Sequence, residues 1–551
     1  MTACRFLVLI LLACVITLPE IAAAEAPESW HWPDGQVLPH LPAPADSLDA
    51  MPIQSLTRDE QLAFVALQGH VNKTRPRIWL INRRSEEGAD TWQKTLGLQI
   101  GTTYDYHNKY DLIAKYAGEI KGVVLYDPSA NEHLCNLAAT VAGLRGALPV
   151  TPTIREHLLA QQIDLPVLED LTSLELPTAT DVYEHLYANY WSECEKRFLI
   201  SARPGRGGDY HHTRDMATAC GAAMVWLDCR EPAERELFGK FLADMPAGNA
   251  VVLGWYTTER SGVTTATHYG IGTMPADHFM NSTVFSGGDH TIHHPEVPPT
   301  PELQNKLYVA MLLSDGDNIQ YTQHALRRIW DRSADARGDM PISWTISPGL
   351  VDIAPSIMNY YYQSATPNDC FISGPSGMGY TMPVNTLEEP GAALGSTIDD
   401  PQRWAAYTGL TSRYLQRAGL RVVTIWDNLT PMQRQVYEQQ CPTLLGVTVQ
   451  NFKDDPTVAS SLEGDRLCFE RLQIPYAGSR DQLRRSLERQ LATGIDTQPR
   501  FAAYQADIWS ELQPERLLEI MREIEEEHPE IEFVRADHYF RLRNQDLKQN
   551  Y

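Results

Sequence analysis

The sequence contains no CxxC pair, and none of its cysteines stands at zinc-ligand spacing, which excludes a zinc ribbon or finger as an organising element. No GxGxxG or GxxxxGK[ST] loop follows any strand-like run, so nothing supports a nucleotide cofactor. Beyond Ala24 no apolar run approaches the roughly 18 residues that a membrane-spanning helix needs. Positive charge is also scarce: 46 Lys and Arg stand against 70 Asp and Glu, a formal net charge of −24. Such a chain repels phosphate backbones and anionic lipid heads, so no nucleic-acid or membrane-surface partner is expected.

What is present suits a large globular protein. A chain of 551 residues, 43% hydrophobic, can form two or three domains with cores. Arg5, the apolar run Phe6 to Leu18 and the small residues Ala22, Ala23 and Ala24 follow the order of a secretory signal peptide. Residues 1–24 are therefore expected to be removed on export, to the periplasm or beyond. Leu11-Leu12-Ala13-Cys14 offers an alternative, lipid anchoring at Cys14, but the apolar run continues past it. Seven cysteines follow Ala24. Cys220 and Cys229 are close enough in sequence to pair, and buried free thiols are the expectation for the others.

From Trp30 to Ser55 the chain is proline-rich and aperiodic and reads as an extended lead-in. Thr57 and Glu60 then fit a capping box, and apolar residues continue at helical spacing until Pro76. Strand-like runs at Arg77–Ile81, Gly122–Tyr126, Arg197–Ser201, Ala223–Asp228 and Ala250–Trp255 alternate with helical stretches such as Asp181–Trp191. This alternation predicts parallel α/β layers, divided near Arg155 into subdomains 25–155 and 156–300. The turn-rich stretch Ser286–Glu302 marks the next boundary. It holds His290, His293 and His294, which read as a solvated loop rather than a metal site, since no element fixes their geometry.

Residues 301–551 carry eight strand candidates: Leu307–Ser314, Ile342–Ser347, Asp369–Ser373, Arg421–Trp426, Leu444–Val449, Arg466–Leu472, Arg500–Gln505 and Ile531–Ala536. Helical patterns separate most of them, as in a TIM-like (β/α)₈ barrel. The fold class expected is thus α/β, a C-terminal barrel preceded by α/β layered subdomains. Active groups of such barrels sit at the C-terminal strand ends. Here those ends supply Asp315, Asp317 and Asn318, then Asp427, Gln450, Gln505, Asp507 and Trp509, and finally Asp537 and His538. Each aspartate can alternatively cap a following helix. Trp344, Trp426 and Trp509 either pack in the core or face a ligand.

Glycosidic cleavage needs an acid for the leaving oxygen and a second carboxylate as base or nucleophile, and aromatic rings offer sugar faces an apolar wall with a polar handle. Asp427 as acid and Asp507 as nucleophile or base lie across the expected barrel, with Asp315 and Asp317 holding sugar hydroxyls. The rival pair is Asp317 and Asp537, after neighbouring strands.

After the third strand, Gly377-Met378-Gly379-Tyr380-Thr381-Met382-Pro383 resembles the GxGYxYP signature, with Met382 where the second tyrosine would stand. Leu67–Asn72 with Pro76-Arg77-Ile78, Leu313–Asn318 and Val534–His538 are also similar to that family, which comprises exported bacterial proteins assigned as glycoside hydrolases. The resemblance implies carbohydrate as ligand or substrate and adds Tyr380 to the candidate substrate-binding residues. Three functions follow: a glycoside hydrolase without cofactor or metal, a non-catalytic glycan-binding protein on the same scaffold, and a metal-dependent carbohydrate deacetylase suggested by Asp315-Gly316-Asp317. The last lacks a supporting HxxxH in the barrel.

Overall fold

The computed structural model describes residues 32–550 apart from 206–209, 388, 391–393, 395–397, 399, 451–459, 465 and 493–497. The segment read as a signal peptide, with Cys14, lies outside the described residues. Three small parallel sheets precede the barrel. The first is built from β1 (Ser47–Pro52), β2 (Ile78–Ile81) and β3 (Gln99–Thr103) in the order β2-β1-β3. The second, ordered β5-β4-β6, uses β4 (Gly122–Leu125), β5 (Ala147–Val150) and β6 (Val167–Asp170). The third, ordered β10-β9-β7-β8, uses β7 (Glu195–Ser201), β8 (Ala222–Val225), β9 (Val251–Gly254) and β10 (Gly272–Pro275).

The capping box forms as read: Thr57 Oγ1 accepts from Glu60 N at 3.3 Å, and Glu60 Oε2 accepts from Thr57 N at 2.8 Å. It starts the helix Arg58–Thr74, which ends just before Pro76. Two expectations need correction. The proline-rich lead-in contains β1, the central strand of the first sheet. A division at Arg155 would cut the second sheet, because β6 follows it and pairs with β4. With the sequence Val-Leu-Glu-Asp and mostly exposed side chains, β6 carries no apolar run to betray it. All seven described cysteines are free, including Cys220 and Cys229.

All eight expected barrel strands form: β11 (Leu307–Leu313), β12 (Ile342–Ile346), β13 (Asp369–Ser373), β14 (Val422–Ile425), β15 (Gly446–Val449), and, after the short antiparallel β16 (Ser461–Glu463), β17 (Leu467–Ala477), β18 (Arg500–Ala506) and β19 (Ile531–Phe533). Seven of them close a parallel barrel, with β11 joining β12 to β18. The eighth is different. β19 pairs with Leu307–Val309, the N-terminal half of β11, whereas β12 pairs with Leu312 and Leu313 at its C-terminal end. β19 therefore fills the lower part of one seam and never reaches the mouth.

Strand alternation sorts the side chains. Leu307, Val309, Met311 and Leu313 join the large outer core beneath the helices, while Tyr308, Ala310 and Leu312 join the barrel interior. Tyr539, Phe540 and Leu542 of the C-terminal helix belong to that interior cluster and plug its N-terminal end. Trp344 is core: it is buried and donates to Asp369 at 2.8 Å.

The signature loop ties the barrel to the third sheet. Tyr380 and Thr273 of β10 exchange backbone hydrogen bonds at 2.6 and 3.0 Å. Gly379 permits this approach, because its φ is +88° and a Cβ there would lie 2.8 Å from the Gly272 carbonyl carbon. Met382 is buried against the helix Glu259–His268, its N–H donating to Thr267 Oγ1 at 3.0 Å, so it offers no face to a ligand.

Candidate active site

A cavity of about 300 Å³ opens at the C-terminal end of the barrel, where strand ends β11, β12, β14, β17 and β18 meet the third sheet. Three carboxylates line it: Asp315 and Asp317 after β11, and Glu259 from the loop-to-helix step after β9. Trp255, Tyr380, Trp426 and Tyr476 form aromatic walls. Trp255 stacks on Tyr380 at 6.4 Å between centroids, and Trp426 meets Tyr476 edge-on at 4.8 Å.

The loop after β11 is held in an unusual course. Asp315 has φ +71°, in the left-handed region that few non-glycine residues adopt. Gly316 N donates to Thr345 Oγ1 at 2.9 Å, and a Cβ on Gly316 would fall 1.6 Å from the Thr345 carbonyl oxygen. The glycine thus presses the loop onto β12 and turns Asp315 and Asp317 into the cavity. Asp315 Oδ2 accepts from Ser314 Oγ at 2.5 Å and from Tyr476 OH at 2.7 Å. Glu259 Oε1 accepts from Tyr380 OH at 2.8 Å. Asn318 Nδ2 lies 3.5 Å from Asp317 Oδ1.

Burial raises the pKa of all three carboxyls, that of Asp317 most. Burial raises the pKa of Asp315, and hydrogen bonds from Ser314, Tyr476 and Trp509 pull it back. Glu259 exposes much of its surface, but its carboxyl end is enclosed beside Tyr380; burial of that end raises its pKa, and the charge of Asp315 raises it further. Asp317 is buried and is pushed furthest, well above the usual range, first by burial, then by Asp315, with Glu259 adding to the repulsion. Asp317 therefore holds its proton longest of the three. Divergent environments of this kind separate an acid from a base in one site.

Of the residues expected from sequence, Asp315, Asp317, Asn318, Tyr380 and Gln505 line this cavity. Trp509 lines its neighbour. Five residues are placed elsewhere. Both oxygens of Asp427 are occupied by backbone N–H groups: Val384 and Asn385 donate to Oδ2 at 2.7 Å each, and Thr386 donates to Oδ1 at 3.1 Å. It clamps the segment after the signature loop and does not face the cavity. Asp507 accepts from Trp509 N at 2.9 Å and closes a turn; its charge reaches Asp315 but it does not line the cavity. Asp537 and His538 lie at the opposite end of the barrel. Asp537 pairs with Arg535 at 3.0 Å, Arg535 holds the Asp369 carbonyl where β13 begins, and His538 Nε2 sits 2.9 Å from the Pro298 carbonyl oxygen. The rival pair Asp317 and Asp537 is thereby separated, because β19 stops short of the mouth. Gln450 is fully buried and does not line the cavity.

Sequence reasoning missed Glu259 and Trp255. The signal is Trp255-Tyr256-Thr257-Thr258-Glu259, which follows β9 as the barrel loops follow their strands, although β9 belongs to the third sheet and not to the barrel. For a metal, among the described residues the one group of such ligand atoms within 4.8 Å of each other is His40, His290 and Asp352. Asp352 is already held there by Arg417 at 2.5 Å and by Tyr414, a cationic setting that disfavours a divalent ion. His293 and His294 are not part of that group.

Comparison with known proteins follows the same outline. A family model described as "GxGYxYP putative glycoside hydrolase C-terminal domain" matches residues 305–544, the family's third domain matches 199–287 and its second domain 120–194. A crystal structure titled as a "putative hydrolase" from Bacteroides thetaiotaomicron VPI-5482 is similar over 94% of this chain and 98% of its own, with 21% identity and a TM-score of 0.76, and so shares the fold. A structure titled as a "putative polysaccharide deacetylase" from Mycobacterium smegmatis aligns with 47% of this chain and 96% of its own at 11% identity and a TM-score of 0.28. No curated protein matches the chain. Among the described residues no helix is long and apolar enough to cross a membrane. With matches to three of its domains across residues 120–544, the chain belongs to the GxGYxYP family.

Proposed function

We propose that the protein is an exported glycoside hydrolase that cleaves its glycan in the cavity between the barrel mouth and the third sheet. The observation that carries this reading is the carboxyl set: Asp315, Glu259 and Asp317 share one aromatic-walled cavity, and Asp317 is buried where both of the others oppose its ionisation. Asp317 holds its proton longest and acts as the acid on the leaving oxygen. Asp315, kept in place by Ser314 and Tyr476, acts as base or nucleophile. Glu259, tethered by Tyr380, binds sugar hydroxyls and sustains the high pKa of Asp317. Export rests on the n-region, apolar run and small-residue site of residues 1–24.

The test is a panel of plant, fungal and bacterial cell-wall glycans incubated with the purified protein lacking residues 1–24, with both bound and released sugar measured. New reducing ends are the expected result. Binding to a glycan with no released sugar would instead make this a glycan-binding protein.

A further inference from the structure

A second cavity, of about 340 Å³, abuts the first and shares Asp315 and Asn318 with it. Its wall is formed by Tyr321 and Trp509, whose ring centroids are 4.7 Å apart. Trp509 is 55% exposed. A single exposed indole is ordinary, but the groups beside it are not. Tyr321 is only 5% exposed, yet its hydroxyl has no hydrogen-bond partner. The Gln320 Oε1 is likewise buried and unpartnered, while its Nε2 donates to Asp277 at 2.9 Å. Native folds rarely leave buried polar atoms unmatched unless a ligand or water completes them.

An occupant of this cavity must offer an apolar face to Trp509 and hydrogen-bonding groups around its edge to Tyr321 and Gln320. A sugar ring has that division. Among the charged neighbours, His324 pairs with Glu87 at 2.9 Å and Glu86 with Arg328 at 3.0 Å, and the other two lining charges, Arg84 and Asp315, are of opposite sign, so the cavity has no net bias toward an ionic ligand and suits a neutral ring. Asp315 lines both cavities, so one carboxylate is shared between them.

We infer that this second cavity is a subsite for a neutral sugar unit and that the substrate is an oligosaccharide chain lying across Asp315 and Asn318, not a terminal single-sugar glycoside. The inference rests on the hydrolase reading of the first cavity. It is tested with 4-nitrophenyl glycosides carrying one, two and three hexose units of the glycan type cleaved in the panel. In the wild type, kcat/KM is expected to rise at least about tenfold when a second unit is added, since binding of a remote unit is spent on the reacting bond. In Trp509→Ala the ratio of long to short substrate should fall toward one, and Tyr321→Phe, which removes only the hydroxyl, should lower it in part. No gain with length in the wild type, or the same ratio in Trp509→Ala, overturns the subsite. If the wild type cleaves no glycan or glycoside, the hydrolase reading fails on its own, and titration calorimetry with cellotriose, maltotriose and their monosaccharide decides the subsite. Tighter binding of either trisaccharide that Trp509→Ala loses would sustain it, and equal affinities or no binding would overturn it.

Discussion

Asp317→Asn is expected to lower kcat by at least about 10²-fold, the lower range for loss of acid–base catalysis, and at the same time to raise Tm. The two effects have one cause. Asp317 is buried beside two other carboxyls, so the fold holds its pKa well above the ordinary value. That proton is what the leaving oxygen requires, and Asn cannot supply it. The same raised pKa destabilises the protein as pH rises. A carboxyl whose folded pKa exceeds its unfolded one contributes fully below the unfolded pKa, and that contribution is lost progressively as pH climbs toward the folded pKa. Asn never carries the charge. Its stabilising effect should therefore be absent at acidic pH, below the ordinary carboxylate range, and grow toward neutral pH. Asp315→Asn should likewise lower turnover by at least about 10²-fold, since it removes the carboxylate assigned as base or nucleophile. Scanning calorimetry at acidic and neutral pH, beside steady-state rates, checks both. A variant with normal kcat, or with a lower Tm at neutral pH, would contradict the assignment.

Asp427→Ala is expected to act on the fold. Three backbone N–H groups of residues 384–386 converge on this carboxylate. Removing it strands them, at about 1–3 kcal/mol for each buried group left unsatisfied, so a loss of about 3 kcal/mol or more is expected. The midpoint of urea unfolding should fall while the urea dependence keeps its slope. Protein still folded should retain the wild-type pH profile. If Asp427 were the acid, the midpoint would change little and the basic limb of the profile would vanish.

The barrel was legible because most of its strands are apolar runs that stop at a polar end, such as Leu307–Leu313 before Ser314-Asp315. The strands without a counterpart in the sequence reading, β1, β3, β5, β6, β10 and β16, are three to six residues long. β3, with the sequence Gln-Ile-Gly-Thr-Thr, is mostly exposed and has little apolar pattern to read. In the site, the pair Asp315 and Asp317 and the signature Tyr380 were legible from strand ends and motif. The roles of Asp427 and Asp507 were not, because a carboxylate at a strand end is equally a clamp for backbone N–H groups. Only the position of residues 384–386, more than forty residues earlier in the chain, shows which it is. Glu259 was hidden for another reason: it reaches the barrel mouth from a different domain, and sequence spacing carries no trace of that contact.

If three coupled carboxyls set the protonation of the site, the pH dependence of kcat/KM will differ between the wild type and Glu259→Gln. The wild type should give a bell, with its acidic limb from Asp315 and its basic limb from Asp317. Glutamine at position 259 removes one of the negative charges that oppose ionisation of Asp317, so Asp317 should lose its proton at lower pH and the basic limb should move toward acid. A basic limb that stays in place or moves to higher pH in Glu259→Gln would contradict the account.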